Sequence, residues 1–397
     1  MHREDFTMLN QDIVFFDNGA TTLKPKCVVE AMNKYYTEYT SNIHRGDYDA
    51  AIKTNELYDD TRNVVAKFLN CRSDEVIFTS GTTMSINMVV FGYMEKNLKS
   101  GDEVLLTKSE HASNILPWIK LSEKTGIVLK YMELDDNYSL TVDSVLKAIT
   151  EKTKVISIAH VTNVIGDVRD ISAIGDICRS KGILFCVDGA QSVPHMAVDF
   201  KNSNIDFLSF SGHKMCGPTG IGCLVVRNKY LSQMEPLYYG GGMNNFFESD
   251  GSYELKKGVT KFEAGTPPIA EVIGLREAIL YLMKIGMDNI HNHEVELKKY
   301  LVQEMKKIKN IKIYNENSKS GILAFNIEGV FAQDSSVYLN NYNIYVRAGN
   351  HCAKMVKDEI GVKNTVRVSM YLYNTKEDVD KLIKVLKQSD DIFKIVI

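Results

Sequence analysis

Short apolar runs recur in the first part of the chain and alternate with longer stretches of helical character. The helical stretches include residues 84–98 and 142–150. This alternation is typical of an α/β domain in which a mostly parallel sheet carries helices on both faces. It constrains the fold more than any other feature of the sequence. The apolar runs are EVIFTS, DEVLLT, IVLKYM, KVISIAH, ILFCVD, DFLSFS and IGCLVV.

The pattern changes after Pro268. Two long amphipathic helices are predicted in IAEVIGLREAILYLMKIG and HNHEVELKKYLVQEMKKI, followed by the strand-like runs GILAFNI and NIYVRAG and a last helix from Lys376. These elements predict a smaller α+β domain. We therefore predict three units, which are an N-terminal segment (1–20) packing with the small domain, a large α/β domain (21–266) and the small C-terminal domain (267–397).

The composition favours a globular protein. The chain has 397 residues, of which 44% are hydrophobic and 24% charged, so it can bury a large core. Its formal net charge is only −3 and it has no basic block, so neither nucleic acid nor an anionic membrane is indicated as a partner. Because no apolar stretch reaches the ~20 residues that span a bilayer and the first residues lack the apolar core of a signal peptide, we expect a cytoplasmic protein.

The cysteines do not form a pairing or metal-binding pattern. There are 7 of them, an odd number, with no CxxC spacing. Cys178, Cys186 and Cys223 lie among apolar residues, which is typical of buried, reduced thiols. Neither a disulfide framework nor a metal site is predicted.

The polar residues that follow the apolar runs are the candidates for function, because ligands of open α/β sheets bind at the carboxyl ends of the strands. After EVIFTS, Gly81 permits a tight turn. Thr82 and Thr83 then begin a helix, whose free N–H groups and positive end suit a phosphate. An ordinary threonine cap is the alternative.

Two further strand ends carry Asp188 and Lys214. A carboxylate at the tip of ILFCVD needs a partner, and a protonated pyridine nitrogen is one, although a helix N-cap is equally compatible. Lys214 follows DFLSFS among glycines, where an ε-amine can lose its proton and form a Schiff base, whereas most lysines are solvated surface charges. Threonine, aspartate and lysine at successive strand ends together predict a site for pyridoxal 5′-phosphate (PLP).

One cysteine lies in a different setting from the others. Cys352 is in the segment RAGNHCAK, flanked by His351, Gly349 and Arg347, and this segment is too polar to be core. The segment by itself is compatible with a reactive cysteine or with a surface loop that carries a chance thiol.

Several segments resemble the class V aminotransferase group, and in particular the cysteine desulfurases of the SufS type. The resemblance runs from FFDNGATTLKP to the last helix. It implies a fold type I PLP-dependent transferase, with a mostly parallel seven-stranded sheet in the large domain, and a homodimer with active sites at the subunit interface. The segments are SGTT, SEHASNILPW, HVTNVIG, VDGAQS, SGHKMCGPTGIG, FEAGTP, RAGNHCA and VRVSMYLYNT.

The resemblance implies roles for individual residues. Lys214 would form the Schiff base, Asp188 would pair with the pyridine nitrogen, and His111 would stack on the ring and move protons. Arg367 would pair with the substrate carboxylate, with Arg347 as a second candidate. The other implied contacts are Thr82, Thr83, Ser211 and His213 with the phosphate, Thr266 with the phosphate of the neighbouring subunit, and Gln191 and Asn163 with the pyridine oxygen side, Asn163 also touching substrate.

Cys352 would be the nucleophile, on a short loop that reaches over the cofactor. Two positions depart from the family pattern, because Asn350 stands where the first of two adjacent histidines is usual and Ala112 where a histidine is frequent. They leave open how the thiol is activated, for which His351, Arg347 and His111 are the candidates.

The implied activity is that of a PLP-dependent cysteine desulfurase. It would convert L-cysteine to L-alanine, leave a persulfide on Cys352, and pass the sulfur to an acceptor protein of the SufE or SufU type for iron–sulfur cluster assembly. The alternatives are a selenocysteine lyase or another class V reaction, and a catalytically silent PLP-binding scaffold.

Overall fold

The structure, a computed structural model, describes residues 2–44 and 46–389. Its strands, numbered along the chain, are β1 (Val14–Phe15), β2 (Val76–Thr79), β3 (Glu103–Thr107), β4 (Val128–Met132), β5 (Thr153–Ala159), β6 (Leu184–Asp188), β7 (Phe207–Ser211), β8 (Gly222–Val226), β9 (Asn244–Phe247), β10 (Tyr253–Leu255), β11 (Ile311–Tyr314), β12 (Ile322–Ile327), β13 (Ile344–Tyr345), β14 (Arg347–Gly349) and β15 (Thr365–Ser369).

The helices are α1 (Lys26–Glu38), α2 (Asp49–Leu69), α3 (Thr82–Val89), α4 (Glu95–Asn97), α5 (Leu116–Thr125), α6 (Val142–Ala148), α7 (Ile171–Lys181), α8 (Asn228–Leu231), α9 (Ile269–Ile285), α10 (Met287–Met305), α11 (Ala332–Asn340), α12 (Lys354–Ile360) and α13 (Lys376–Leu386). Short 3-10 turns include Ala112–Asn114 and Gly212–Lys214, both of which belong to the site described below.

The larger sheet has seven strands in the order β2-β8-β7-β6-β5-β3-β4. Strand β8 runs antiparallel to its neighbours β2 and β7, and the other pairs are parallel. Each of the seven apolar runs supplies one of these strands. The predicted fold class, a mostly parallel seven-stranded sheet in an α/β domain, is confirmed.

Both faces of this sheet are covered, which explains why the runs are apolar at consecutive positions. In β8, Cys223 and Val225 belong to an apolar cluster shared with α1, α2 and α9, whereas Leu224 and Val226 belong to a second cluster shared with α3 and α5. Successive side chains of a strand point to opposite faces, so a strand between two helical layers must be apolar throughout.

The helix predicted over 84–98 begins two residues earlier, at Thr82, and changes its winding. Helix α3 passes through a π-helical turn at Val90–Met94 before α4 ends it at Asn97. Gly92 lies in this turn, where a Cβ would be 2.5 Å from the carbonyl oxygen of Glu235. The backbone can approach so closely only because residue 92 has no side chain.

The smaller sheet is antiparallel, with the order β11-β12-β15-β14. Its core is shared with α10, α11 and α13. The run NIYVRAG, predicted as one strand, is split, because β13 pairs in parallel with β1 while β14 pairs with β15. The backbone of β13 therefore pairs with the N-terminal strand β1, and only β14 joins the small sheet.

Contacts at the ends of the chain bear on the domain boundaries that we propose, which are 1–20, 21–266 and 267–397. Arg3 donates to Asp378 at 3.0 Å, so the first residues touch α13. Helix α9 packs against α1 and α2. Residues 390–397 of the proposed small domain lie outside the described residues. No helix within the described ranges is long and apolar enough to cross a membrane.

Candidate active site

A cavity of 230 Å³ opens at the carboxyl ends of the large-sheet strands. It contains every candidate site residue from the sequence except Thr266. The cavity is lined by Gly19, Ala20, Thr82, Thr83, His111, Ser113, Ala159, Val161, Asn163, Asp188, Ala190, Gln191, Ser211, His213, Lys214, Arg347, His351, Cys352 and Arg367.

Lys214 ends the 3-10 turn that follows β7. The carbonyl oxygen of His213 accepts from the N–H and hydroxyl of Thr22, at 3.0 and 3.2 Å, and from the Lys24 amine at 3.2 Å. These donors fix the turn in front of the lysine. Burial lowers the pKa of Lys214 to about 8, although the nearby Asp188 carboxylate acts in the opposite direction. A larger fraction of this amine than of an ordinary lysine is therefore unprotonated near neutral pH.

Asp188 is the last residue of β6 and is buried. One of its carboxylate oxygens accepts from the Ala190 N–H at 2.9 Å. Burial raises the pKa of Asp188 to about 6, against the opposing effects of that hydrogen bond and of Lys214. A carboxylate that has lost its hydration by burial is stabilised by a cationic partner, such as a protonated ring nitrogen.

Hydroxyl groups cluster at the N-terminus of α3. Ser211 Oγ accepts from the Thr82 N–H at 2.8 Å and lies 2.7 Å from Thr82 Oγ1. Thr83 Oγ1 lies 2.8 Å from Ser113 Oγ. The turn before the helix requires glycine, because Gly81 has φ 142° and a Cβ there would lie 3.1 Å from Ser211 Oγ. Hydroxyls beside free helical N–H groups form a cradle suited to a phosphate.

Ser113 was not among the candidates from the sequence. It follows His111 by two residues in SEHASNILPW, and its position in the cavity depends on the 3-10 turn that the histidine caps. A hydroxyl in such a turn carries no local signal of ligand binding.

His111 presents a neutral ring to the cavity. Its Nδ1 accepts from the Ser113 N–H at 3.1 Å, which fixes the ring orientation. Burial lowers the pKa of His111 to about 4, and the positive charge of Lys214 adds to this effect. The preceding residue, Glu110, is fully buried and paired with Arg169.

The Cys352 loop connects β14 to α12 and closes one side of the cavity. His351 and Cys352 have φ values of 52° and 56°, a left-handed conformation that is uncommon for residues other than glycine. Two contacts hold it, because Ala112 N–H donates to the Cys352 carbonyl oxygen at 2.8 Å and Asn163 Nδ2 donates to that of His351 at 2.7 Å. The Cys352 side chain is exposed.

These contacts account for the two departures from the family pattern. Ala112 reaches the loop through its backbone N–H, which any residue except proline provides. Asn350 is exposed, and its carbonyl oxygen accepts from the Ala353 N–H at 2.9 Å. Neither side chain is needed for the loop conformation seen here.

His351 itself is turned into the protein. Its Nε2 lies 3.0 Å from the Thr365 carbonyl oxygen, which can only accept, so this nitrogen carries the hydrogen. Burial, reinforced by the positive charges of Arg367 and Lys357, lowers the pKa of His351 to about 2. The ring is neutral and supports the loop from behind.

Arg367 lies on β15 and is buried. Its Nη1 donates to the Asn163 carbonyl oxygen at 2.9 Å, and its Nη2 pairs with Asp17 Oδ1 at 3.0 Å. Gly19 allows the guanidinium to lie against the backbone, since a Cβ there would be 2.9 Å from Arg367 Cζ. Arg347 is exposed and lies 3.9 Å from Asp17. Asp17 and Gly19 were not recognised from the sequence.

Thr266 lies apart from these residues. It is exposed, accepts from Asn42 Nδ2 at 3.3 Å, and lines a second cavity of 290 Å³ together with His44, Lys256 and Glu263. No cluster of His, Cys, Asp or Glu suited to a metal ion occurs among the described residues.

Unpartnered polar atoms indicate that the first cavity accepts a polar ligand. Within the described part of the chain, Asn163 Oδ1, Gln191 Oε1, His351 Nδ1 and Arg367 Nε are buried without a hydrogen-bond partner. Such atoms are costly unless a ligand satisfies them. Together with the carboxyl group of Asp188, the amine of Lys214 and the hydroxyl cradle, they fit PLP.

Comparison with known proteins identifies the family. The Aminotransferase class-V family model matches residues 14–382. The chain belongs to this family. A "Probable cysteine desulfurase" from Halalkalibacterium halodurans is 41% identical over 396 residues, which cover 98% of this chain and 97% of the relative. The family predicted from the sequence is confirmed.

Two solved structures are similar over nearly the whole chain. A cysteine desulfurase from Thermococcus onnurineus NA1, in its apo form, has a TM-score of 0.94 and 36% identity and covers 97% of this chain and 96% of its own. The cysteine desulfurase CsdA from Escherichia coli, in an S-sulfonic acid form, has a TM-score of 0.92 and 34% identity, with coverage of 99% and 98%.

Proposed function

We propose that this chain is a PLP-dependent cysteine desulfurase, which converts L-cysteine to L-alanine and leaves a persulfide on Cys352. The observation that carries the proposal is the convergence of Cys352, Lys214 and Asp188 on one cavity, although the three residues come from distant parts of the chain. The names of the similar full-length proteins agree with this assignment.

Different residues of the cavity would bind different parts of the cofactor. Asp188 would hold the ring nitrogen, Lys214 the aldehyde carbon, and the hydroxyls of Thr82, Thr83 and Ser211 the phosphate. When bound, PLP supplies an electron sink for the substrate's Cα–H bond. Lys214, with its pKa near 8, can hold or release a proton at neutral pH, which suits it to move the proton of that bond.

Cys352 carries out the sulfur transfer. Its thiolate attacks the sulfur of the bound cysteine, so that one S–S bond forms as the C–S bond breaks. The carbon that loses sulfur takes up a proton and becomes the methyl group of alanine, while the persulfide stays on the enzyme. No external oxidant or reductant is required, because thiol and cysteine together contain the atoms and electrons of persulfide and alanine.

Arginines, rather than histidines, bring permanent positive charge to the cavity that contains Cys352. With a pKa near 2, His351 is a very weak base, and His111 Nδ1 is already engaged by a backbone N–H. Arg347 and Arg367 line the same cavity as Cys352 and carry permanent charge. We infer that these two side chains, rather than either histidine, are the charged groups that assist the nucleophile.

The finer assignments follow from the family resemblance. We propose that the enzyme is of the SufS type, cytoplasmic and homodimeric, and that it passes sulfur to a SufE-like or SufU-like carrier for iron–sulfur cluster assembly. The position of Thr266 supports the dimer, because this residue lies outside its own chain's cavity and is exposed. It would then contact the phosphate bound by the neighbouring subunit.

The test measures alanine and enzyme-bound sulfur after incubation with L-cysteine. Native protein and Cys71→Ala, which changes a half-buried thiol outside the cavity, should give both products, and Cys352→Ala should give neither in sustained amount. Parallel assays use L-selenocysteine and amino-group acceptors. Turnover of selenocysteine alone would identify a lyase, and PLP binding without any product would identify a scaffold, so either result contradicts the proposal.

A further inference from the structure

Asp17 lies between the two arginines of the cavity. It follows β1 in the segment FFDNGATT, and the backbone there forms a bridge to Ser369 at the end of β15. Its Oδ1 lies 3.0 Å from Arg367 Nη2, and its Oδ2 lies 3.9 Å from Arg347 Nη1. The N-terminal segment thus brings a carboxylate to the two arginines that are expected to bind the substrate carboxylate.

The contacts of Arg367 show which of its donors remain free. Nη1 donates to the Asn163 carbonyl oxygen, Nη2 is paired with Asp17, and Gly19 packs against the flat face of the guanidinium. Nε has no hydrogen-bond partner among the described residues and is buried. Asp17 therefore fixes the orientation of the guanidinium, in which Nη1 and Nη2 each keep a second N–H for an incoming acceptor.

The charges of this group also match a single carboxylate. Two guanidinium groups and one carboxylate leave one unit of positive charge among Arg347, Arg367 and Asp17. The carboxylate of one amino acid would neutralise this charge. Without Asp17, the two arginines would offer two units of charge and would favour ligands with two anionic groups.

We propose that Asp17 is a positioning residue that sets the specificity of this site for amino acids with one carboxylate, by orienting Arg367 and by offsetting one of the two arginine charges. The inference rests on the proposed function, since it takes the α-carboxylate of an amino acid as the ligand. It adds a residue that does not itself touch the reacting atoms.

The first test measures the effect of the Asp17 charge on Cys352 alkylation and requires no catalytic turnover. Cys352 is alkylated in the PLP-free protein with iodoacetate, which is anionic, and with iodoacetamide, which is neutral. Asp17→Asn keeps an oxygen for Arg367 and removes the negative charge. The ratio of the iodoacetate rate to the iodoacetamide rate should rise roughly twofold or more, as expected for a unit charge on the order of 10 Å away in water. Asp12→Asn is the control, because the Asp12 side chain is 95% exposed.

The second test separates charge from orientation. With L-cysteine as substrate, Asp17→Asn should lower KM roughly twofold, because Arg367 stays in place and attracts the carboxylate more strongly. Asp17→Ala should raise KM, because Arg367 Nη2 loses the partner that orients the guanidinium group. KM changes of opposite sign in the two variants are not expected if Asp17 has a merely structural role. Such a role would change KM in the same direction in both variants.

Two results would overturn the inference. One is an alkylation ratio in Asp17→Asn equal to that of native protein and of Asp12→Asn. The other is a change of KM in the same direction in Asp17→Asn and Asp17→Ala. If the protein released no alanine from cysteine at all, the alkylation ratio would still report the charge at Cys352, so failure of the proposed function and failure of this inference are distinguishable.

Discussion

The buried pair of Glu110 and Arg169 offers a test of how the site is supported. Both side chains are 0% exposed. Glu110 also accepts from Asn114 Nδ2 at 2.9 Å and from the Ala159 N–H at 2.7 Å, and Arg169 Nη2 donates to Ser109 at 2.7 Å. Glu110 immediately precedes His111, which lines the cavity.

Replacing Arg169 by methionine keeps much of the side-chain volume and removes the countercharge of both Glu110 and Asp167. Glu110 would then be a buried carboxylate with hydrogen bonds but no ionic partner. Breaking a buried pair from one side typically costs about 3–5 kcal/mol of the free energy of unfolding. Adding Glu110→Gln should recover part of this loss, because no unpaired charge then remains at that position, and the two changes should therefore not be additive.

Urea unfolding of the PLP-free protein, followed by circular dichroism, measures the effect. Arg72→Met is the matched control, because Arg72 forms an exposed pair with Asp74 and should hardly move the midpoint. If Arg169→Met unfolded within about 1 kcal/mol of native protein, or if the double variant showed the sum of the single effects, the reasoning on this network would be wrong.

Three further outcomes follow from the cavity. Lys214→Ala should abolish the visible absorbance of the purified protein, and borohydride should fix PLP to Lys214 in the native chain; labelling of another lysine would contradict this. Burial raises the Asp188 pKa from 3.8 to about 6, so its charge destabilises the PLP-free fold increasingly as pH rises through this range; Asp188→Asn should therefore raise Tm at pH 8 and hardly change it at pH 4. Gly19→Ala should raise KM for L-cysteine through its clash with Arg367, and an unchanged KM would remove Gly19 from substrate binding.

The strands of the large sheet and most cavity residues were predictable for a shared physical reason. A strand between two helical layers must be apolar, so each run marked a strand, and parallel strands bring their carboxyl ends to one edge. Asp188 ends such a run, and Thr82 and Lys214 each lie three residues after the end of a strand. Their convergence on one cavity could be predicted without knowing the conformation of the loops.

Other features depend on contacts between distant parts of the chain. β13 pairs with β1 from the opposite end of the sequence, which divided NIYVRAG into two strands. Asp17 reaches Arg367 because its segment bridges to Ser369 at the end of β15, and no local pattern marks it. The consecutive left-handed residues His351 and Cys352 lack the glycine that usually signals such a conformation.

Peptide mapping can show whether Cys352 receives the sulfur of cysteine. PLP-loaded native protein is incubated with L-cysteine, its thiols are blocked with an alkylating reagent, and peptides are analysed for an added sulfur atom. The added sulfur is expected on Cys352 in native protein and on no protein thiol in the Lys214→Ala variant. A persulfide on Cys216 or another thiol, with Cys352→Ser as active as native protein, would contradict this expectation.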